Sequence, residues 1–421
     1  MASPKIFLSA GEASGEHYGA LLMAALRQMA PHAEFFGLGG VRMERLGLRR
    51  TVRAEDVAVM GITEVVRHMP HIYAEYRRLR ASLRRERPDV AILIDFPDVN
   101  LRLAGELHRL HIPVVYFVSP QLWAWKRWRI RRVKRYVTRM LVIFPFEEAF
   151  YRSHGVAADF VGHPLADLEL PAVSRDAFAR ENSLDASKPW IGLLPGSRTR
   201  EIKANLPPML EAAQLLGPAY EYLLPVAPTL QAAEVRAMVD RNAAPSSGPH
   251  PGMRNPEVRL VGDARAALYH ARASVVASGT ATVEAALLGN PFIAVYRVSP
   301  LTYAIARRVV RVPHVAMVNL IAGRRIVPEL IQHQFTAANV AQCLLPLLED
   351  PQARATMQSD LDAVGASLKI DNFDGIDDSE NNRTAIERAA SIALESIVQS
   401  RRVQEPARPV SIRPVEERPF P

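Results

Sequence analysis

"VVASGTATVEAALLGNP" occupies residues 275–291 and passes from a buried strand to a helix within a few positions. The apolar run ends at Ala277, Ser278-Gly279-Thr280 makes a small turn, and a helical pattern follows. A strand, tight turn and helix in that order form the repeating unit of a parallel sheet covered on both faces. The turn also makes an anion site. A diphosphate placed there meets the positive end of a helix dipole and two hydroxyl donors. Glu284, one turn into the helix, would repel a phosphate but suits the diol of a ribose.

The same alternation runs through all 421 residues, without an internal repeat. "KIFLSA", "VAILID", "VVYFVS" and "MLVIF" read as one set of buried strands. "WIGLLP", "EYLLPV", "VRLVG", "ASVVAS" and "PFIAVY" read as a second. The predicted class is therefore α/β, with two Rossmann-like parallel-sheet domains facing a cleft. The predicted boundaries are 1–165 for the N-terminal domain and 166–345 for the C-terminal domain, with a Pro-, Asp- and Ala-rich linker at 163–189. Residues 346–400 are C-terminal helices, whose return to the first domain is left open. Residues 401–421 form a Pro/Arg-rich tail that does not bury itself, and 243–257 a Pro/Gly/Ser loop. The acidic run 371–380 misses the calcium-loop spacing and reads as a solvated loop.

The composition is that of a globular protein, 48% hydrophobic and 23% charged. Its net charge of +8 favours anionic partners without saying which. Cys343 is the only cysteine, so no internal disulfide forms, as suits a reducing cytosol; it reads as a small buried hydrophobe in a helix. Glu12 and Glu16 interrupt the apolar start, which argues against an export signal. No run approaches the roughly 20 apolar residues of a membrane span.

Three further loops follow strand ends, where ligands of parallel sheets gather. "SAGEASGEHYGALL" brings Gly11, Glu12, Ser14 and Gly15 to the first. It lacks the dinucleotide glycine fingerprint, and its acids suit sugar hydroxyls better than a bare pyrophosphate. "IDFPDVN" brings Asp95 and Asp98. Either could be a general base on a substrate hydroxyl, or could merely cap the helix that follows. No third ligand completes a metal site there. "LLPGSRTREI" brings Gly196, Ser197 and Arg198, with donors suited to phosphate oxygens, at a spacing that is not the Walker loop.

Taken in order, "AGEASG", "GLGG", "VMGITEV", "PDVAILIDFPDVNLRLA", "YFVSPQLWAW", "LPGSR", "ASGTATVE" and "MVNLIAG" resemble the lipid-A-disaccharide synthases over about residues 5–345. The resemblance implies the GT-B glycosyltransferase architecture. It implies an inverting, cofactor- and metal-independent transfer of 2,3-diacylglucosamine from UDP to the 6-hydroxyl of 2,3-diacylglucosamine 1-phosphate (lipid X). By that resemblance Asp98 leads as the base, with Asp95 beside it. Gly196, Ser197, Arg198 and the Ser278-Gly279-Thr280 turn bind the diphosphate, Glu284 the ribose, and Asn319 completes the nucleotide side. Gly11, Glu12, Ser14 and Gly15 face acceptor or donor sugar. Glu16-His17 departs from the Asp-led pair of the pattern. The matches fade in the final helices.

"WAWKRWRIRRVKRY" (123–136) carries three tryptophans and seven basic residues, and 67–87 carries seven arginines against two glutamates. Ile130, Val133 and Val137 give the first a core-facing stripe. Both basic stretches are expected to dock on an anionic membrane surface, the inner face of a bacterial inner membrane, where acylated substrates reside, and Met60, Ile62, Val65 and Val66 are expected to shape an apolar lip that admits acyl chains. No nucleic-acid partner is expected, since such a protein needs no "ASGTATVE" turn; homo-oligomerisation is left open. A nearer rival is another GT-B enzyme acting on UDP-N-acetylglucosamine.

Overall fold

The structure, a computed structural model, describes residues 3–57, 62–243, 256–310, 312–370 and 383–404. Among the described residues, thirteen strands fall into two sheets, every strand pairing in parallel. The first sheet holds β1 (Lys5–Ala10), β2 (Glu34–Gly39), β3 (Arg49–Arg53), β4 (Val90–Ile94), β5 (Val114–Phe117), β6 (Arg139–Val142) and β7 (Ala158–Phe160). Their order is β3-β2-β1-β4-β5-β6-β7. The second sheet holds β8 (Trp190–Leu194), β9 (Glu221–Pro225), β10 (Val258–Val261), β11 (Ala273–Ala277), β12 (Phe292–Tyr296) and β13 (Glu329–Ile331), ordered β10-β9-β8-β11-β12-β13. In each sheet the order reverses beside its first strand, at β1/β4 and at β8/β11.

The strands are continuously apolar because both faces are covered. Ile6, Leu8, Ile92 and Ile94 pack with the helix Ala13–Met29, whereas Phe7, Ala91 and Leu93 pack on the opposite side with the helix Pro97–Arg109. Each fully buried Ile, Leu or Phe contributes roughly 1.5–3 kcal/mol. The helices after β1 and β4 thus leave on opposite faces, and a crevice opens between them.

Several elements differ from the expectation. The stretch 163–189 is not a bare linker: it holds the 3-10 turn Pro164–Asp167 and the helix Arg175–Asn182, and His163 is buried. The last helix, Ala385–Gln404, runs past the expected start of the tail and packs on the helix Ala13–Met29. Its first amide donates to Asp167 at 2.8 Å. The basic helix after the tryptophans is short, Ile130–Tyr136, and Val137 caps it in extended backbone while still facing the core. Cys343 lies in the helix Ala337–Glu349 but is only half-buried. The runs 244–255, 371–382 and 405–421, and Met60, lie outside the described residues, as do the side chains of Ile62, Val65 and Val66. Among the described residues, no helix is long and apolar enough to cross a membrane.

Asn100 braces the β1/β4 crevice. Fully buried, it accepts from Ser9 Oγ at 2.6 Å and donates to the carbonyls of Ser9, Ile94 and Asp95 at 3.3, 3.1 and 2.7 Å. Asn100→Ala leaves several buried polar groups unmatched, so we expect a loss of about 2–3 kcal/mol. Urea unfolding should show it as a lowered midpoint at constant slope; an unchanged midpoint contradicts the bracing role.

Candidate active site

At the first crevice, Gly11 touches the loop after β4 so closely that a Cβ would fall 2.4 Å from the Phe96 ring. Only glycine permits that approach. Glu12 occupies the N-cap position of the helix Ala13–Met29 without capping it, and its carboxylate faces Arg198 instead. Ser14 is exposed and Gly15 is packed beneath it, facing Ile94. Glu16 belongs elsewhere: it accepts from the Arg42 amide at 2.8 Å, at the start of the short helix Val41–Arg45.

Asp95 and Phe96 both adopt left-handed backbone, with φ of 45° and 48°, at a cost on the order of 1–2 kcal/mol per residue. Asn100 and the Tyr116 hydroxyl, which donates to the Asp95 carbonyl at 2.6 Å, hold the turn in place. Neither aspartate caps the next helix; Phe96 sits at that position. The two carboxyls are instead driven apart electrostatically. Burial, then the charge of Glu12, pushes Asp95 up to about 6. Partial burial opposes ionisation of Asp98 too, but the Arg129 guanidinium bonded to it, with Lys126 and Arg102 nearby, holds it below the usual carboxylate range.

At the second crevice, Gly196 has φ of 123°, and a Cβ there would lie 2.4 Å from Glu201 Oε2. That carboxylate accepts from the Ser197 and Arg198 amides at 3.0 and 3.3 Å. The amides expected to bind phosphate are therefore engaged by Glu201, a residue the sequence reading passed over although Arg198 and Glu201 have N-cap–N3 spacing. Opposite them, Gly279 and Thr280 are exposed and open the helix Thr280–Leu287. Ser278 Oγ donates to the Val315 carbonyl at 3.2 Å. Glu284 pairs with Arg265 at 3.5 Å; burial nevertheless raises its carboxyl above the ordinary value.

Asn319 does not reach the cleft, contrary to expectation. It is fully buried, donates to the Val327 carbonyl and Glu329, and accepts from the amides of Ile326 and Val327. Its role is to hold Glu329, which in turn accepts from the amides of Val315 and Ala316 behind Ser278.

The two crevices meet. Arg198 Nη2 lies 3.7 Å from Glu12 Oε2, linking the loops after β8 and β1. Buried Tyr18 lies between the halves: burial, then the charges of Glu284 and Asp95, raise its hydroxyl far above the ordinary value. No motif flagged Tyr18. Among the described residues, no group of three His, Cys, Asp or Glu side chains could hold a metal ion.

Two doubly wound parallel sheets, with their strand-order reversals at β1/β4 and β8/β11 and the loops after them meeting at Glu12 and Arg198, define a GT-B glycosyltransferase. A crystal structure of the glycotransferase of kitacinnamycin superposes with a TM-score of 0.58 at 15% identity, covering 94% of this chain and all of that one. The sequence pattern of the lipid-A-disaccharide synthetase family matches residues 6–371. The lipid-A-disaccharide synthase of Acidobacterium capsulatum is 59% identical over 397 residues, 94% of this chain and 97% of that one. That of Koribacter versatilis is 51% identical over 93% and 98% of the respective chains. The chain belongs to the lipid-A-disaccharide synthase family, and the reaction it catalyses is the glycosyl transfer for which that family is named.

Because the Glu201 carboxylate already accepts from the Ser197 and Arg198 amides, a diphosphate bound at those amides would have to compete with it. Glu201→Gln should tighten UDP binding by roughly two- to fivefold, the size of a charge–dipole term. Calorimetric titration checks this, and equal or weaker binding contradicts the competition.

Proposed function

We propose that the cleft divides the reaction between its two walls. UDP-2,3-diacylglucosamine lies on the second-domain wall, its diphosphate on Arg198, Gly196, Ser197 and the Ser278-Gly279-Thr280 turn, and its ribose by Glu284. The acceptor, 2,3-diacylglucosamine 1-phosphate, lies on the first-domain wall near Gly11, Glu12, Ser14 and Gly15. The observation carrying this reading is the 3.7 Å approach of Arg198 to Glu12, which brings a phosphate-binding cation and a hydroxyl-binding acid within one sugar of each other. In this reading Asp98 takes the proton from the acceptor's 6-hydroxyl as that oxygen attacks the donor's anomeric carbon. The bond to UDP breaks on the opposite face, which inverts the centre. Arg198 and the amides opening the helix Thr280–Leu287 stabilise the charge on departing UDP. Asp98 suits the base role because it is exposed and Arg129 keeps it ionised.

Acylated substrates stay in a bilayer, so we assign the enzyme a peripheral place on the anionic inner surface of the inner membrane. The stronger support comes from the helix Ile130–Tyr136. Arg131, Arg132, Lys134 and Arg135 are exposed there, and among the described residues none has a carboxylate partner. Each basic residue near such a surface contributes about 1 kcal/mol. The arginines of the helix Ile62–Glu86 support it less, because Glu106 takes Arg80 and Arg84, Glu75 takes Arg78 and Glu86 takes Arg85.

With both substrates in anionic vesicles, the protein should form the β-1,6-linked disaccharide 1-phosphate and UDP, and should sediment with those vesicles rather than neutral ones. Turnover of UDP-N-acetylglucosamine in their place, without disaccharide, overturns the reading. The pH profile assigns the base. With Asp98 as base, kcat/KM stays level as pH falls through about 6 and drops only below, while Asp98→Asn lowers kcat by about 10² or more at unchanged UDP affinity. A limb near 6, removed by Asp95→Asn, gives the role to Asp95 instead.

A further inference from the structure

The segment between Trp123 and Arg129 has more positive charge at the cleft than the base requires. Lys126 Nζ lies 3.9 Å from Asp98 and 4.0 Å above the Trp125 ring. Arg129 bonds the same Asp98 oxygen with a side chain only 13% exposed, and its Nε is buried without a partner among the described residues. Arg102 follows Asp98 by one turn on the same helix. Three cations therefore share one carboxylate, where a membrane-docking surface would need none of them.

The loop carrying Lys126 and Arg129 is held rigidly. Glu147, fully buried, accepts from Ser119 Oγ at 2.7 Å and from the Trp123 indole at 2.9 Å. The Tyr151 hydroxyl donates to the Pro120 carbonyl at 2.7 Å, and Arg127 donates to the Trp123 carbonyl at 3.1 Å. Lys126 itself has left-handed backbone, with φ of 51°, so its position is imposed by this bracing. Pre-organised cations beside a base are the arrangement that recognises an anion on the molecule the base acts upon.

We infer that Lys126, Arg129 and Arg102 form the subsite for the acceptor's phosphate monoester. This rests on the reading that the acceptor is a sugar 1-phosphate. In such a sugar the anomeric carbon and the ring carbon that bears the hydroxymethyl group both flank the ring oxygen, so the attacked hydroxyl and the phosphate lie along the same edge of one ring. The carboxylate and its surplus cations match that pairing. A dianion drawn onto Arg129 and Lys126 also loosens their hold on Asp98, which makes the carboxylate a stronger base once the correct acceptor is seated.

The test compares two acceptors in detergent micelles, 2,3-diacylglucosamine 1-phosphate and the same sugar without its phosphate. The wild-type enzyme should prefer the phosphorylated acceptor in kcat/KM. Lys126→Gln should shrink that preference by roughly ten- to hundredfold, as expected for a charge-assisted hydrogen bond, mainly through the acceptor's KM and with the donor's KM unmoved. Arg129→Gln should act in the same direction, whereas Arg131→Gln, on the outward face, should retain the wild-type preference. Equal losses for both acceptors, or the same shrinkage in Arg131→Gln, overturn the subsite. Failure of the wild-type enzyme to form disaccharide at all would sink the reading of the reaction instead.

Discussion

Where two adjacent parallel strands send their helices to opposite faces, the sheet cannot close over its own carboxyl edge, and a crevice is left. This chain has two such places, β1/β4 and β8/β11. Four loops reach the cleft from them, and each is short because its helix starts within a few residues of the strand end. The burial of both sheet faces, which gives the fold most of its stability, therefore also fixes where a ligand lies. Asn100 shows the coupling in one side chain. Its hydrogen bonds stitch β1 to β4, and the same amide holds the carbonyl of the strained Asp95.

Both walls of the cleft carry charges of both signs. Glu12, Asp95 and Asp98 lie on the first domain, with Lys126 and Arg129 beside Asp98; Arg198 and the opening of the helix Thr280–Leu287 lie on the second, with Glu201 and Glu284. The same ion pairs that shape the walls also set their chemistry. Burial, then the charge of Glu12, pushes Asp95 towards neutrality, while Asp98, three residues away, is kept ionised by a guanidinium 31 positions further along. Two carboxylates with separated acidities are what a reaction needs when one must accept a proton and the other must not compete for it.

Strand-end loops were legible in the sequence because each has a local signature: an apolar run, a glycine or proline break, then helical spacing. β1 and β11 end where the pattern says, at Ala10 and Ala277. The elements the reading missed carry no such signal. β3, with sequence RRTVR, is polar and β7, with sequence ADF, is only three residues long; both lie at the sheet's edges, where a continuous apolar run is not required. β2 carries two glycines, which weaken a strand pattern. In the site, residue types were legible and partnerships were not. Nothing local tells that Arg129 answers Asp98, that Tyr18 lies between Asp95 and Glu284, or that Asn319 turns inward to Glu329. Those pairings come from the packing of helices distant in sequence, and periodicity does not encode them. The interval between Arg198 and Glu201 is the exception, a capping spacing that could have been read.

The account rests on the nucleotide lying against the second domain with its diphosphate between Arg198 and the Ser278-Gly279-Thr280 turn. A crystal structure of the enzyme with UDP tests it most directly. The diphosphate should appear within hydrogen-bond distance of the Arg198 guanidinium and the Thr280 amide, with the ribose beside Glu284 and the Glu12 contact to Arg198 broken. Diphosphate density against the first-domain wall, or at the exposed basic face of the helix Ile130–Tyr136, would contradict the account.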